Sequence, residues 1–315
     1  MNDFLIKVSI GIFQDRGKIL ISQSKKKANK IVWEFPGGKR EKKETPEQTL
    51  YRELKEELNV VVQKARLIKK FITNVDGSNY ELSVFSIVEW LGECIGSESQ
   101  VLQWVPISEL INYNMHVPNK KIFPSLMLPN KIMITPYLNK DYDLFLKNLD
   151  LLKLYEIDLL QLRLSHDEAI NKLISREIKK KSGNKVKVMI NGGMSEFDEN
   201  YFDGVHLPFN LAKGLNARPV KKNYLFSVAC HNKKEIEHAG LIDADFVYLS
   251  PINQTTSHLN SNILGWSEAR RIAAVSSKPV YALGGLSILD TSRAIENGFQ
   301  GIAGISTFWN FIPNI

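Results

Sequence analysis

Cysteine is scarce in this chain. Its 315 residues include only two, Cys94 and Cys230, and these are far apart. Two distant cysteines argue against a disulfide framework and are typical of a protein in a reducing compartment. We expect both to be buried structural thiols.

Long apolar runs are also missing. No stretch approaches the ~20 residues of a membrane span. The opening residues, MNDFLIKVSIGIF, alternate like a strand and lack the basic and apolar regions of a signal peptide. We therefore expect a cytoplasmic protein without a membrane partner.

Acidic side chains are fewer than basic ones: the chain has 34 Asp and Glu and 41 Lys and Arg, which gives a net charge of +7. A basic balance favours anionic ligands such as nucleotides and phosphates. The lysines are scattered, and neither zinc-finger spacing nor an aromatic-basic repeat occurs, so we predict no nucleic-acid partner.

The length predicts two domains, because single cores rarely grow beyond roughly 250–300 residues. Residues 1–128 mix strands with few helices and begin with a hairpin closed at Asp15 to Gly17. Pro124, Pro129 and Asn130 mark the junction.

Residues 131–315 repeat a strand-then-helix pattern. The candidate strands are 131–135, 158–163, 185–190, 204–207, 224–229, 245–250, 279–284 and 301–306. Eight strands alternating with helices favour a parallel (β/α)8 barrel, so the fold class is α/β. A doubly wound open sheet is the alternative.

One short helix carries a concentration of carboxylates. Thr45, Pro46 and Gln48 form a capping box with proline at the first turn, and Asn59 is suited to the left-handed residue that ends a helix. Leu50, Leu54 and Leu58 repeat every four residues and predict the buried stripe.

Glu53, Glu56 and Glu57 lie at i, i+3 and i+4 of that helix and are therefore neighbours. Taken alone, they describe either a solvated glutamate-rich face or a site for a hard divalent cation, which prefers oxygen ligands.

The wider pattern runs from Gly38 through Glu44 to Arg52-Glu53-Leu54, Glu56-Glu57 and Val60. It resembles the box of the Nudix hydrolases, with Asn59 where the family usually has glycine. The resemblance implies a Nudix α/β/α fold and metal-dependent hydrolysis of a nucleoside diphosphate linked to another group. It implies that Mg²⁺ or Mn²⁺ is held by Glu53, Glu56, Glu57 and a backbone carbonyl at Gly38, while Arg52 and Glu44 form an orienting ion pair.

The flanks are similar to 8-oxo-dGTP diphosphatases of the MutT type. The segment WEFPGGK, residues 33–39, implies substrate contacts from Phe35, Gly37, Gly38 and Lys39. Glu98 would add a metal ligand or base, and Asn119 would read the oxidised purine. Two basic residues of the subfamily are replaced, by Gln23 or Ser24 and around Asn79.

The motifs LLQLRLS, DGVHL, LSPINQTTSH, ALGGL and GIAGIS occur in that order in the second part. Together they resemble thiamine-phosphate synthase and its TenI relatives. The resemblance implies a phosphorylated ligand at the mouth of the barrel, with these candidate residues: Arg163, Thr255, His258, Gly284, Gly285, Gly304 and Ser306.

Several catalytic positions of the synthases are changed. Ser165 and His258 stand in place of lysines, and Gly192 and Asn210 in place of acidic magnesium ligands. Loss of both carboxylates would leave magnesium and pyrophosphate unsupported. We therefore expect a degenerate barrel. A thiamine-linked or tautomerase-like enzyme, and a binding or assembly module without chemistry, are the alternatives.

Overall fold

The computed structural model describes residues 5–23, 31–75, 77–97, 100–137, 142–163, 167–254 and 262–309. The chain divides into two compact units, Met1–Leu128 and Pro129–Ile315. Predicted residues Glu98, Ser165, Thr255 and His258 lie outside the described residues.

The first unit is built on a mixed sheet. Its elements are β1 (Leu5–Asp15), β2 (Lys18–Gln23), β3 (Trp33–Glu34), β4 (Gly37–Lys39), α1 (Pro46–Leu58), β5 (Val61–Val75), β6 (Ser78–Leu91), β7 (Leu102–Pro106), α2 (Val117–Lys120) and α3 (Phe123–Leu126). Within the described residues the strand order is β3-β2-β1-β6-β5, with β4 paired to β1 and β7 to β2. The predicted hairpin is confirmed, because β1 and β2 pair antiparallel.

Two apolar clusters cover the two faces of this sheet. Side chains alternate along a strand, so Phe85 of β6 packs with the leucines of α1 while Leu82 and Val84 pack on the opposite face. Phe35 and Ile122 belong to that opposite cluster. The sheet therefore lies between α1 on one side and the segment around α2 and α3 on the other, the predicted α/β/α arrangement.

The second unit is a closed parallel barrel. Its strands are β8 (Lys131–Ile134), β9 (Leu159–Leu162), β10 (Lys187–Asn191), β11 (Gly204–Leu207), β12 (Leu225–Cys230), β13 (Phe246–Leu249), β14 (Val280–Leu283) and β15 (Gly301–Gly304). The predicted barrel is confirmed, and β15 closes it by pairing with β8.

Helices flank the barrel strands. They are α4 (Tyr142–Lys147), α5 (Leu151–Leu154), α6 (Glu168–Ser182), α7 (Phe209–Ala212), α8 (Lys233–Leu241), α9 (Gly265–Ala273), α10 (Asp290–Glu296) and α11 (Ser306–Trp309). Val247 and Leu249 of β13 pack in the apolar cluster shared with the helices, so the alternating Phe246 and Tyr248 point into the barrel. No helix in the described part of the chain is long and apolar enough to span a membrane.

Candidate functional site

Local capping fixes the ends of α1, as the sequence predicts. The Thr45 hydroxyl accepts the Gln48 backbone N–H, and the Gln48 side chain accepts the Thr45 N–H. Asn59 has φ 55° and ends the helix in the left-handed conformation. Leu50, Leu54 and Leu58 are fully buried, so the glutamates on the adjoining face are held in a fixed direction.

Arg52 organises the charges on that face. Its Nε lies 2.7 Å from Glu44 Oε1 and its second terminal nitrogen 3.0 Å from Glu44 Oε2, a two-point contact. Its remaining nitrogen donates to Glu53 Oε1 at 2.9 Å. The hydrogen bonds from Arg52 lower the pKa of Glu44 to about 2, so the carboxylate stays ionised at neutral pH and the ion pair is kept there.

Two glycines allow the main chain before α1 to contact glutamate side chains of that helix. The Gly37 N–H donates to Glu57 Oε2 at 3.0 Å. A Cβ on Gly38 would lie 2.1 Å from the carboxylate carbon of Glu53, so that carboxylate packs directly on the Gly38 backbone. Only glycine at position 38 leaves room for this contact.

A cleft of about 540 Å³ opens beside these groups. Its lining includes many of the predicted residues, namely Phe35, Gly37, Gly38, Lys39, Glu53, Glu57 and Asn119. The fold therefore brings acidic side chains of α1 together with polar and aromatic groups from distant segments.

Asn119 is tied to Phe35 within this cleft. Its Oδ1 accepts the Phe35 backbone N–H at 2.9 Å, across 84 positions of sequence. Both residues are buried. Because Oδ1 already accepts the Phe35 N–H, the side-chain nitrogen of Asn119 is the group that can donate a hydrogen bond to a ligand.

The acidic groups differ in how they face the cleft. Glu53 and Glu57 line it, whereas Glu56 does not and its side chain is 61% exposed. In the described part of the chain, no three His, Cys, Asp or Glu side chains are arranged to hold a metal. The donors nevertheless suit a hard cation, because the carboxylates of Glu53 and Glu57 line one cleft beside the backbone of Gly37 and Gly38.

Sequence reasoning missed several cleft residues. Tyr80 and Leu82 of β6, Gln100, and His116 also line the cleft. The alternation along β6 places Tyr80 and Leu82 on one face, and that signal was available. No local pattern marks Gln100 or His116, since only the folded sheet brings them near the glutamates.

The candidate barrel residues that the structure describes lie at the carboxyl ends of its strands. Arg163 follows β9, and its N–H donates to Thr135 Oγ1 at 2.8 Å. Gly284 and Gly285 follow β14 with φ 99° and 63°, and Gly304 ends β15. Ser306 begins α11. Because the strands are parallel, these positions share one end of the barrel.

Polar side chains occupy the barrel interior below that end. Gln161 donates to Asn191 Oδ1 at 2.8 Å, and His206 Nδ1 lies 2.8 Å from Ser227 Oγ. His206 also stacks on Tyr248 with ring centroids 4.6 Å apart. Burial, and then the charge of Arg163, lowers the pKa of His206 to about 3, so the ring is neutral.

Two of these interior groups lack partners. Neither Gln161 Oε1 nor the Tyr248 hydroxyl has a hydrogen bond within the described ranges. Gln161 is 3% exposed and Tyr248 is fully buried. A buried polar atom left unpaired is costly, and Gln161 Oε1 keeps the capacity to accept a hydrogen bond from a polar ligand.

Comparison with known proteins adds a family to each unit. Residues 4–126 match the NUDIX domain, and residues 133–308 match Thiamine monophosphate synthase. The 8-oxo-dGTP diphosphatase of Buchnera aphidicola is 32% identical over 38% of this chain and 91% of its own length. The thiamine-phosphate synthase of Pelagibacter ubique is 30% identical over 61% of this chain and 90% of its own.

A third relative is matched over a shorter part. The "Putative thiamine-phosphate synthase 2" of Aquifex aeolicus is 35% identical over 34% of this chain, and the match covers only 57% of that protein.

Fold and site thus define a two-unit α/β protein: an α/β/α unit with an acidic cleft, followed by a parallel barrel with a polar interior. The chain belongs to the Nudix family through its first unit and to the thiamine monophosphate synthase family through its second. The first unit is accordingly a Nudix hydrolase, an enzyme of phosphoric anhydrides, and Nudix hydrolases generally use divalent metal.

Proposed function

We propose that the first unit hydrolyses 8-oxo-dGTP to 8-oxo-dGMP and pyrophosphate, as the name of its Buchnera relative suggests. The observation that supports this most directly is the shared cleft, in which Glu53 and Glu57 lie with Phe35 and Asn119. Carboxylates can hold a cation at the phosphates of a nucleoside triphosphate, and an amide can select its base.

Glu53 and Glu57, with Glu56 and Glu98, would hold Mg²⁺ or Mn²⁺ together with the backbone at Gly38. When bound, such a cation neutralises phosphate charge and makes water more acidic. Arg52 and Glu44 keep the glutamate face of α1 in position. Lys39 lines the cleft, and its ammonium group would lie beside the phosphates.

Base recognition would rest on Phe35 and Asn119. With Oδ1 holding the Phe35 N–H, the Asn119 amide nitrogen donates to a carbonyl oxygen of the purine. Hydrolysis consumes one water, breaks one phosphoric anhydride bond and releases the monophosphate, pyrophosphate and a proton. In this arrangement the protein supplies position and the cation supplies charge.

The test is Glu57→Gln, which removes a charge and keeps the shape. Pyrophosphate release is measured from 8-oxo-dGTP, dGTP, ADP-ribose and thiamine diphosphate. Turnover should fall by at least about 100-fold while the circular dichroism spectrum is unchanged. Glu47→Gln, on the exposed first turn of the same helix, is the matched control and should keep parental activity. Parental turnover in Glu57→Gln would refute the site, and a preference for another nucleotide would refute the substrate.

We propose in addition that the barrel binds a phosphorylated ligand without forming thiamine phosphate. Among the described residues, the unpartnered Gln161 Oε1 supports a polar ligand, and the positive φ of Gly284 and Gly285 after β14 is a conformation in which glycine lets backbone amides approach a phosphate. The residues that replace the synthases' lysines and acids count against synthesis. Incubation with hydroxymethylpyrimidine diphosphate and thiazole phosphate tests this, and any thiamine phosphate formed would overturn it.

A further inference from the structure

His116 lines the acidic cleft of the first unit, and neither the glutamate cluster nor the base contact by Asn119 uses its side chain. It is the N-cap residue of α2, yet its side chain makes no capping hydrogen bond to that helix. Within the part of the chain that the structure describes, its imidazole has no other polar partner. The residue is half-buried. A cleft side chain without a structural hydrogen bond keeps its ring nitrogens for a ligand.

Hydrogen bonds hold His116 against the segment that shapes the base end of the cleft. The His116 N–H donates to Trp33 O at 2.8 Å. Further along the same two segments, the Phe35 N–H donates to Asn119 Oδ1 at 2.9 Å. The segment that carries His116 and Asn119 is thus tied at two points to the segment that carries Trp33 and Phe35. The fold therefore fixes where His116 stands relative to Asn119.

His116 and Asn119 are also neighbours at the start of α2. Asn119 is the third residue of that helix counted from its N-cap, and its N–H donates to His116 O at 2.9 Å. Side chains at the N-cap and the third helical position lie close together, which is the geometry that the capping box uses. Both residues line the cleft. A base bound there would meet the amide nitrogen and the imidazole side by side.

A purine carries two adjacent hydrogen-bonding groups that match this pair. In guanine, O6 and N7 lie next to each other on one edge, and both accept hydrogen bonds. In 8-oxoguanine, N7 carries a hydrogen and becomes a donor. The amide nitrogen of Asn119 suits O6 in either base, whereas N7 needs a donor in guanine and an acceptor in 8-oxoguanine. A neutral imidazole has one N–H and one bare nitrogen, so it can meet either need.

We propose that His116 hydrogen-bonds N7 of the base while Asn119 donates to O6, so that the cleft selects purines with a carbonyl next to N7. The imidazole accepts from the N7–H of 8-oxo-dGTP, and it donates to N7 of dGTP when the ring proton is on the nitrogen that faces the base. Pyrimidines have no N7 and gain nothing from this contact. The inference rests on the proposed nucleotide hydrolysis and names the part of the base that His116 reads.

The test combines changes in the enzyme with changes in the substrate, on the full chain with Mg²⁺. KM and kcat for pyrophosphate release are measured with 8-oxo-dGTP, dGTP, dCTP and 7-deaza-dGTP, in which C–H replaces N7. For the parental chain, KM should be about 10-fold higher for 7-deaza-dGTP than for dGTP, the value of one hydrogen bond.

His116→Phe keeps a planar ring and removes its nitrogens. It should raise KM for 8-oxo-dGTP and dGTP about 10-fold. KM for 7-deaza-dGTP and dCTP should stay parental, because these substrates have no contact to lose. The turnover number should be unchanged throughout, since the lost contact is to the base and not to the reacting phosphates.

Two variants serve as controls. His116→Gln keeps a donor and an acceptor, so it should retain the KM difference between dGTP and 7-deaza-dGTP. Lys120 is exposed on the same helix and lies outside the cleft lining, so Lys120→Gln should keep every KM parental.

A His116→Phe protein with parental KM for 8-oxo-dGTP and dGTP, or with an equal rise for 7-deaza-dGTP, would overturn the inference and leave the proposed hydrolysis standing. If the parental chain hydrolysed none of these nucleotides, both proposals would fail.

Discussion

Replacing Gly38 by alanine tests the cleft at its most crowded point. The new methyl carbon would lie 2.1 Å from the carboxylate carbon of Glu53 and 2.3 Å from each carboxylate oxygen. Non-bonded carbon atoms settle about 3.5–4.0 Å apart. The carboxylate of Glu53 must therefore retreat by roughly 1.5 Å.

Displacement of the Glu53 carboxylate in Gly38→Ala should lower catalytic activity more than folding stability. A displacement of about 1 Å in a catalytic group costs on the order of 100-fold in rate, so kcat/KM for 8-oxo-dGTP should fall about 100-fold, or ~2.7 kcal/mol of transition-state stabilisation. Folding stability should change by no more than about 1 kcal/mol, because the obstructing atoms end a movable side chain and the Gly38 backbone is not in the left-handed region.

Gly37 and Gly17 serve as controls. A Cβ on Gly37 would meet the Ser9 carbonyl oxygen at 2.2 Å, and its φ is 140°, so Gly37→Ala should destabilise the fold by about 2 kcal/mol or more. Gly17 has φ 76° and nothing within 4 Å of its Cβ position, so Gly17→Ala should cost about 1 kcal/mol of stability and no activity.

The assay pairs steady-state pyrophosphate release with chemical denaturation for each variant. Activity and stability should separate, with Gly38→Ala losing mainly activity and Gly37→Ala losing stability. A Gly38→Ala protein that kept parental kcat/KM would show that the Glu53 carboxylate takes no part at the reacting phosphates.

Three other outcomes follow from the geometry. Asn119→Asp keeps the acceptor for the Phe35 N–H but removes the amide donor, so KM for 8-oxo-dGTP should rise about 10-fold in steady-state assays; an unchanged KM would contradict base reading by this amide. Leu54→Ala empties a fully buried site under α1 and should cost the first unit about 2–5 kcal/mol in denaturant titration; a loss below 1 kcal/mol would mean that α1 packs loosely. His206 has its pKa lowered to about 3 in the folded protein, so the unfolded chain binds the extra proton and stability falls as pH drops from about 6.5 toward 3. Between pH 6.5 and 5 this group should cost the barrel ~2 kcal/mol, and His206→Gln should remove that part of the pH dependence.

Short-range signals predicted much of the first unit's site. The caps of α1 at Thr45 and Asn59, the leucine stripe and the neighbouring glutamates all follow from spacings within one helix. The hydrogen bond between Asn119 and Phe35 does not, because 84 residues separate its partners and only the completed sheet brings them together.

The barrel shows the same division. Its strands were predictable because each is a short apolar segment between helices, and such segments in this number form a closed parallel sheet. The unpaired polar atoms of Gln161 and Tyr248 were not predictable, since pairing depends on neighbours in the interior that come from different strands.

In both units a glycine without a Cβ makes room for the carboxylate of a glutamate. Gly38 and Gly192 each lie against a glutamate carboxylate that a Cβ would displace, from Glu53 in one unit and Glu196 in the other. In the first unit both partners belong to one motif. In the second, the absence of a Cβ at Gly192 leaves room for the carboxylate of Glu196 four residues further along the chain.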